Sequence, residues 1–438
     1  MSNQKKQWGA IIVMIALFAM IAFVTNLCSP MANIIKAQGD IPEVLAQIGN
    51  YGNFVAYLVM GIPAGMLIAK YGYKKTALIG LTVGIIGILV QWASGLLDAK
   101  ESLGLVFGVY LIGAFIAGFC MCILNCVVNP MLNLLGGGGN SGNQLIQLGG
   151  VFNSSAAVAV YIIMGALIGE ITKDTAISDA TPALMIALAI FVIAFIVILF
   201  TKIDEPEQAP VDMSLVKGAL KYRHFTLGII AIFLYMGIEV GVPTYVNMYL
   251  VNTPELDISA ATAGLIVAVY WFMMLIGRFV GASIGSKVSS RAMITTVSIA
   301  TLALVAFGMF SDPATTVMAP GLDWSAITFT GSFPWISITG KFLIWVEVPV
   351  GIFAFLLVGL CTSVMWGGIF NMAVEGLGKY TAVASGIFMT MVFGCAVMMA
   401  IQAAVADATN YITSFWVVVF CAAYILFYAL VGSKPAKK

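Results

Sequence analysis

Charge is what this sequence has least of. Asp, Glu, Lys and Arg make up 9% of 438 residues, against about 25% in a soluble domain. So few charges cannot cover a water-facing surface, which excludes an ordinary soluble enzyme or binding module. Lys and Arg number 20 and Asp and Glu 19, for a net charge of +1, so no excess of basic charge points to nucleic acid. Histidine occurs once, as His224, and no His/Asp/Ser set for nucleophilic catalysis stands out. Of seven cysteines, Cys120, Cys122 and Cys126 lie close together but without a histidine or carboxylate beside them. They read as small hydrophobes, and neither a metal nor another cofactor is expected. The glycine run GGGGNSGN at 136–143 lacks the Lys-Ser/Thr that a phosphate loop requires.

What the chain has in excess is apolar length. Hydrophobic residues reach 61% and the mean hydropathy is +1.04. With about 20 apolar residues needed per crossing, spans are expected near 8–35, 48–69, 76–97, 103–135, 143–169, 182–201, 225–251, 260–285, 292–310, 343–374, 381–405 and 412–432. This predicts an all-α membrane protein with twelve transmembrane helices. The basic residues orient it. Fifteen of the 20 Lys and Arg fall on the side that holds both termini and four on the other, with Arg278 inside a span. That bias puts both termini in the cytoplasm.

A charged segment at 203–224 divides the chain into 1–202 and 225–438, six spans each. A short surface helix is expected along Met213–Tyr222. Residues 311–342, rich in Pro, Thr, Trp and Gly, form an extracytoplasmic insertion that reads as an ordered elaboration or a lid. The halves echo one another: Asn26 and Glu239 each stand four residues before a proline, Pro30 and Pro243. Gly61 and Gly65 in span two match Gly277 and Gly281 in span eight, and Asn129 matches Asn371. Two pseudo-symmetric six-helix bundles rocking about a site at the midplane follow from such a duplication.

Glu239, near the middle of span seven, is the proton-coupling candidate. A charge at that depth costs at least about 2.5–3.5 kcal/mol, so an acid there is a functional candidate. Tyr235, one turn earlier, is placed to hydrogen-bond it, and Pro243, one turn later, leaves a backbone carbonyl free. Around this acid the spans carry amides. Asn125, Asn129 and Asn133 form an i, i+4, i+8 stripe, either helix–helix glue or a row of groups for a hydroxyl-rich ligand. Span five adds Asn143, Gln147, Gly150 and Ser154 on one face with Asn153 beside it. Span one adds Thr25, Asn26 and Ser29, and span ten adds Ser363, Gly367 and Asn371. Trp271 and Trp366 are placed to stack on an apolar sugar face, or else to pack. The candidate ligand-binding set is therefore Asn26, Asn125, Asn129, Gln147, Asn153, Tyr235, Trp271, Trp366 and Asn371. Arg278, towards the cytoplasmic end of span eight, is the gating candidate, with pairing to Glu239 as a lesser option. Uncharged amides and hydroxyls suit a neutral polar solute.

Several stretches resemble the major facilitator superfamily and, within it, the fucose–galactose–glucose:proton symporter family of bacterial sugar permeases. They are GIPAGMLIAKYGYKK at 61–75, Val128-Asn129-Pro130, Phe152-Asn153-Ser154, the segment from Tyr235 to Val240 around Glu239, Gly277-Arg278, and Phe370-Asn371. Nearly the whole chain is covered, with Ala69 where the superfamily's loop motif has an aspartate. The resemblance implies import of a neutral monosaccharide by proton symport in a bacterial inner membrane, by a monomer among lipids. Where relatives like the fucose permease carry an aspartate in span one, an acid or glutamine in span four and a basic residue opening span five, this chain has Ser29, Asn125 and Leu145. Glu239 is then the remaining acid. Uncoupled or sodium-coupled sugar transport, a non-transporting sensor and a drug exporter stay open as alternatives.

Overall fold

The computed structural model describes residues 7–37, 48–97, 99–135, 139–168, 175, 177–203, 215–284, 288–322, 327–329, 336–338, 343–377 and 380–434. The first half comprises α1 (Trp8–Ala37), α2 (Ile48–Ser94), α3 (Ala99–Leu135), α4 (Gly139–Ile168) and α5 (Thr181–Phe200). α2 holds two expected crossings, joined at Gly72, whose φ of 78° is a conformation that favours a residue without Cβ. α6 (Leu215–Ala219) is shorter than the surface helix expected there, and 204–214 of the linker lie outside the described residues.

The second half runs α7 (Arg223–Asn252), α8 (Ala260–Ile284) and α9 (Ser290–Phe310), then four short strands, β1 (Thr316–Leu322), β2 (Ile327–Phe329), β3 (Ile336–Ile338) and β4 (Leu343–Pro349). It continues with α10 (Val350–Thr362), α11 (Met365–Val374), α12 (Thr381–Thr390), α13 (Gly394–Ala408), α14 (Tyr411–Ser414) and α15 (Trp416–Phe427), which ends in a π turn over Tyr428–Gly432. Among the described residues, ten segments are long and apolar enough to cross a membrane. Two shorter apolar helices, Gly52–Ile68 and Leu148–Val160, stand in the places of the second and fifth expected crossings.

Burial along the spans repeats every third helix. Spans one, four, seven and ten are 67, 61, 72 and 67% buried, whereas three, six, nine and twelve are 44, 28, 28 and 44% buried. The first set therefore lines the interior and the second faces outward. On α5 and α9 the exposed side chains include Ile193, Phe200, Phe307 and Phe310, apolar groups that suit lipid. Because lipid is as apolar as leucine, helices in it associate through close packing at small residues. A Cβ at Gly87 of α2 would lie 2.6 Å from the backbone nitrogen of Ala117 on α3, and one at Gly113 of α3 would lie 2.6 Å from that of Gln91 on α2.

One expectation is corrected at 343–349. LIWVEVP was counted into the tenth crossing, but it forms β4, antiparallel to β1 with Met318 opposite Glu347 and Pro320 opposite Trp345. The helix begins only after Pro349, where the Val350 N–H donates to Thr315 O at 2.9 Å. The insertion thus extends past 342, and β1 packs on the N-terminal end of α8 at Thr262.

In each half a cation ties an earlier helix to the end of the last one. Lys74 Nζ donates to Leu199 O at 3.1 Å and Thr201 O at 2.8 Å, at the end of α5. Arg291 donates through Nε to Ser433 Oγ at 3.2 Å and through Nη2 to Ser433 O at 3.4 Å, just past the π turn. Cations at helix C-termini complement the macrodipole. His224 also reaches a helix end: its Nε2 is 2.8 Å from Glu375 O, just past α11.

Candidate functional site

The two halves meet chiefly along α4 and α8, and again where α2 meets α12 and α13. Beside the first seam lies Glu239. α7 is continuous through Pro243, and the missing proline N–H leaves the Glu239 carbonyl without its intrahelical donor. Arg278 of α8 faces the carboxylate, with Nη2 4.0 Å from Glu239 Oε1 and side chains 13% and 15% exposed. This is the pairing that the sequence offered as the lesser option. Arg278 Nη1 also donates to Gly150 O of α4, across the seam.

The tenth expected crossing is interrupted. α10 ends at Thr362 and α11 starts at Met365, with Tyr235 of α7 against the interruption. Tyr235 lies against the Glu239 carboxyl, and its hydroxyl donates to Thr362 O at 3.3 Å. The Tyr270 hydroxyl is 3.1 Å from Thr362 Oγ1. Gly277 of α8 allows this approach, because a Cβ there would stand 2.6 Å from Leu360 O. Discontinuous helices at the midplane are where membrane carriers expose backbone groups to ligands. A second interruption, the 3-10 turn Met391–Phe393 between α12 and α13, brings Phe388 and Cys395 to the same region.

Trp366 is half-buried at this break, with ring centroids 6.2 Å from Tyr235 and 5.7 Å from Phe388. Trp271 packs edge-on to Tyr270 at 5.3 Å, and its buried Nε1–H meets no acceptor among the described residues. Tyr235, Glu239, Trp271, Arg278 and Trp366 thus belong to one cluster in the second half. Tyr270 and Thr362 join it although the sequence did not single them out, since an isolated tyrosine or threonine in an apolar run has no periodic signature.

The amides of the first half behave differently. Asn26 Nδ2 donates to Ala22 O of its own helix at 2.8 Å, and Asn129 Nδ2 donates to Asn125 O at 3.1 Å. Asn125 Nδ2 donates to the Tyr57 hydroxyl at 2.8 Å, joining α3 to α2, and Asn153 Nδ2 donates to Phe18 O at 2.8 Å, joining α4 to α1. These bonds leave the amide oxygens of Asn125 and Asn153 as further acceptor capacity. Asn371 is exposed near the end of α11, next to Phe370, whose ring lies 5.1 Å from Phe388. Gln147, with Ser29, Asn133 and Asn143, has its side chain outside the described residues.

Comparison with known proteins agrees with this architecture. The family model of the Major Facilitator Superfamily matches residues 9–340. A glucose/galactose transporter of Brucella abortus is 28% identical over 99% of this chain and 96% of its own length. The L-fucose-proton symporter of Escherichia coli is 22% identical over 87% and 84%. Among solved structures, that of FucP in the outward conformation superposes with a TM-score of 0.67 at 20% identity, covering 96% of this chain and 97% of that one. A D-xylose-proton symporter superposes at 0.71 with 10% identity and 97% of each chain covered. At these identities the structural matches establish the fold.

Proposed function

Because the chain belongs to the Major Facilitator Superfamily, we propose that it is a secondary transporter that imports a neutral monosaccharide or close derivative by proton symport. The observation that carries the reading is Glu239, an acid within a span, held between Tyr235 and Arg278 beside an interrupted helix. A carboxyl so placed can take a proton on one side of the membrane and return it on the other as the bundles 1–202 and 225–438 rock. The transporters of glucose, galactose, L-fucose and D-xylose among its relatives favour a sugar as cargo. Trp366, half-buried at the break, then offers a ring face to the apolar side of the sugar, and Trp271 sits buried against Tyr270 in the same cluster. Asn125 and Asn153 supply amide oxygens from the opposite bundle. The excess of Lys and Arg on one side orients the chain in a bacterial inner membrane with both termini in the cytoplasm.

The test is uptake of a panel of labelled monosaccharides by cells lacking their own sugar permeases, with Glu239→Gln alongside. The parent concentrates one sugar and alkalinises an unbuffered medium, while the variant exchanges that sugar without concentrating it. Accumulation by the variant equal to the parent would remove Glu239 from the coupling. Uptake that needs sodium, or that equilibrates with no pH change, would replace proton symport by the corresponding alternative.

A further inference from the structure

The contact between the two halves at Gly150 gives a role to a residue that has no side chain, and the argument rests on the transport reading above. Arg278 belongs to the second bundle and reaches a carbonyl of the first. It fits because Gly150 has no Cβ: one added there would stand 2.9 Å from Arg278 Nη1 and 3.3 Å from its Cδ and Cζ. The same guanidinium faces Glu239 through its other amine. Carboxylate, guanidinium and backbone carbonyl therefore form a chain of three groups running from the candidate proton site to the α4–α8 seam.

We propose that Gly150 is a notch through which Arg278 reports the charge of Glu239 to that seam, which makes Gly150 a positioning residue for coupling. With Glu239 ionised, the guanidinium has a counter-ion, and its Nη1–H donates to the Gly150 carbonyl, one tie across the seam. When Glu239 takes a proton, the guanidinium keeps its charge but loses its counter-ion. A neutral carbonyl does not offset the desolvation of a cation that is 13% exposed, so the seam loosens until water reaches it. The other groups that act on this acid are Tyr235 on α7, Cys395 on α13 and, next to Tyr235, Tyr270 on α8. None of these carries a charge at neutral pH in its ordinary state. Arg278 is thus the formal charge facing Glu239 among the described residues.

The experiment is hydrogen–deuterium exchange of the full chain in lipid nanodiscs at two pH values, corrected for chemical exchange and read on the α4 peptide around residues 148–158. The parent should exchange about two- to tenfold faster at the lower pH, the equivalent of losing one hydrogen bond. Gly150→Ala keeps the helix, the acid and the arginine but fills the notch, and displacing the flexible end of Arg278 costs the fold little. It should exchange fast at both pH values. Glu239→Gln and Arg278→Gln should do the same with Gly150 intact. The proposal is overturned if Arg278→Gln or Gly150→Ala keeps the parent's pH contrast, or if the parent shows none. No sugar enters the measurement. A contrast without sugar uptake would reject the substrate reading alone, and uptake without a contrast would reject the notch alone.

Discussion

The Glu239–Arg278 pair makes a quantitative prediction. Unit charges at the observed 4.0 Å attract by about 4 kcal/mol at an effective dielectric near 20. That is a ceiling here, because 4.0 Å is longer than the roughly 2.8 Å of a charge-assisted hydrogen bond and both groups keep some exposure. A coupling of about 1–3 kcal/mol is therefore expected, within the range for residues in direct contact. Replacing Arg278 by Gln leaves a carboxylate in a span without its partner, replacing Glu239 by Gln leaves a cation, and replacing both leaves two neutral amides able to bond each other. Equilibrium unfolding of the four proteins in mixed micelles, followed by circular dichroism, measures the cycle. The double variant should be more stable than the sum of the single losses predicts. Single losses that add to within about 0.5 kcal/mol would mean that the two side chains are neighbours without being a pair, and the coupling argument would lose its electrostatic basis.

Three further outcomes follow from the packing and the site. Trp366→Ala should raise the KM for the transported sugar at least severalfold with a smaller change in maximal rate, since it removes a stacking face and leaves Glu239 in place; initial-rate uptake reads this. Gly87→Val should destabilise the first bundle by about 1–3 kcal/mol, the usual cost of overpacking, because the added atoms meet the Ala117 backbone; thermal unfolding in detergent checks it. Lys74→Met and Arg291→Met should each cost about 0.3–1 kcal/mol and should add when combined, since they tie different bundles.

Crossings, their order and the buried acid were legible because a membrane imposes one length and one polarity on every span. Arg278 stood out for the same reason. The triad it completes did not, because its third member is a backbone carbonyl and Gly150 looked like one more position on a polar stripe. Periodicity also overstated the amides: it put Asn125 and Asn129 on one face, but the Asn129 amide turns back to its own helix, which no spacing rule forbids. β4 was hidden for a different reason. LIWVEVP is apolar enough to prolong a span, and hydropathy averages away the alternation that marks a strand. The break at Thr362–Met365 has no proline to announce it.

The strand ribbon between α9 and α10 has a practical consequence. Its inner strand rests on α8, a helix of its own bundle, so the ribbon travels with that bundle as the two swing. A fluorophore at Trp345, 60% exposed on the outer strand, paired with one at the outer end of the opposite bundle, would serve as a tilt gauge. It would read the tilt of one bundle against the other, and nothing near Glu239 would be altered.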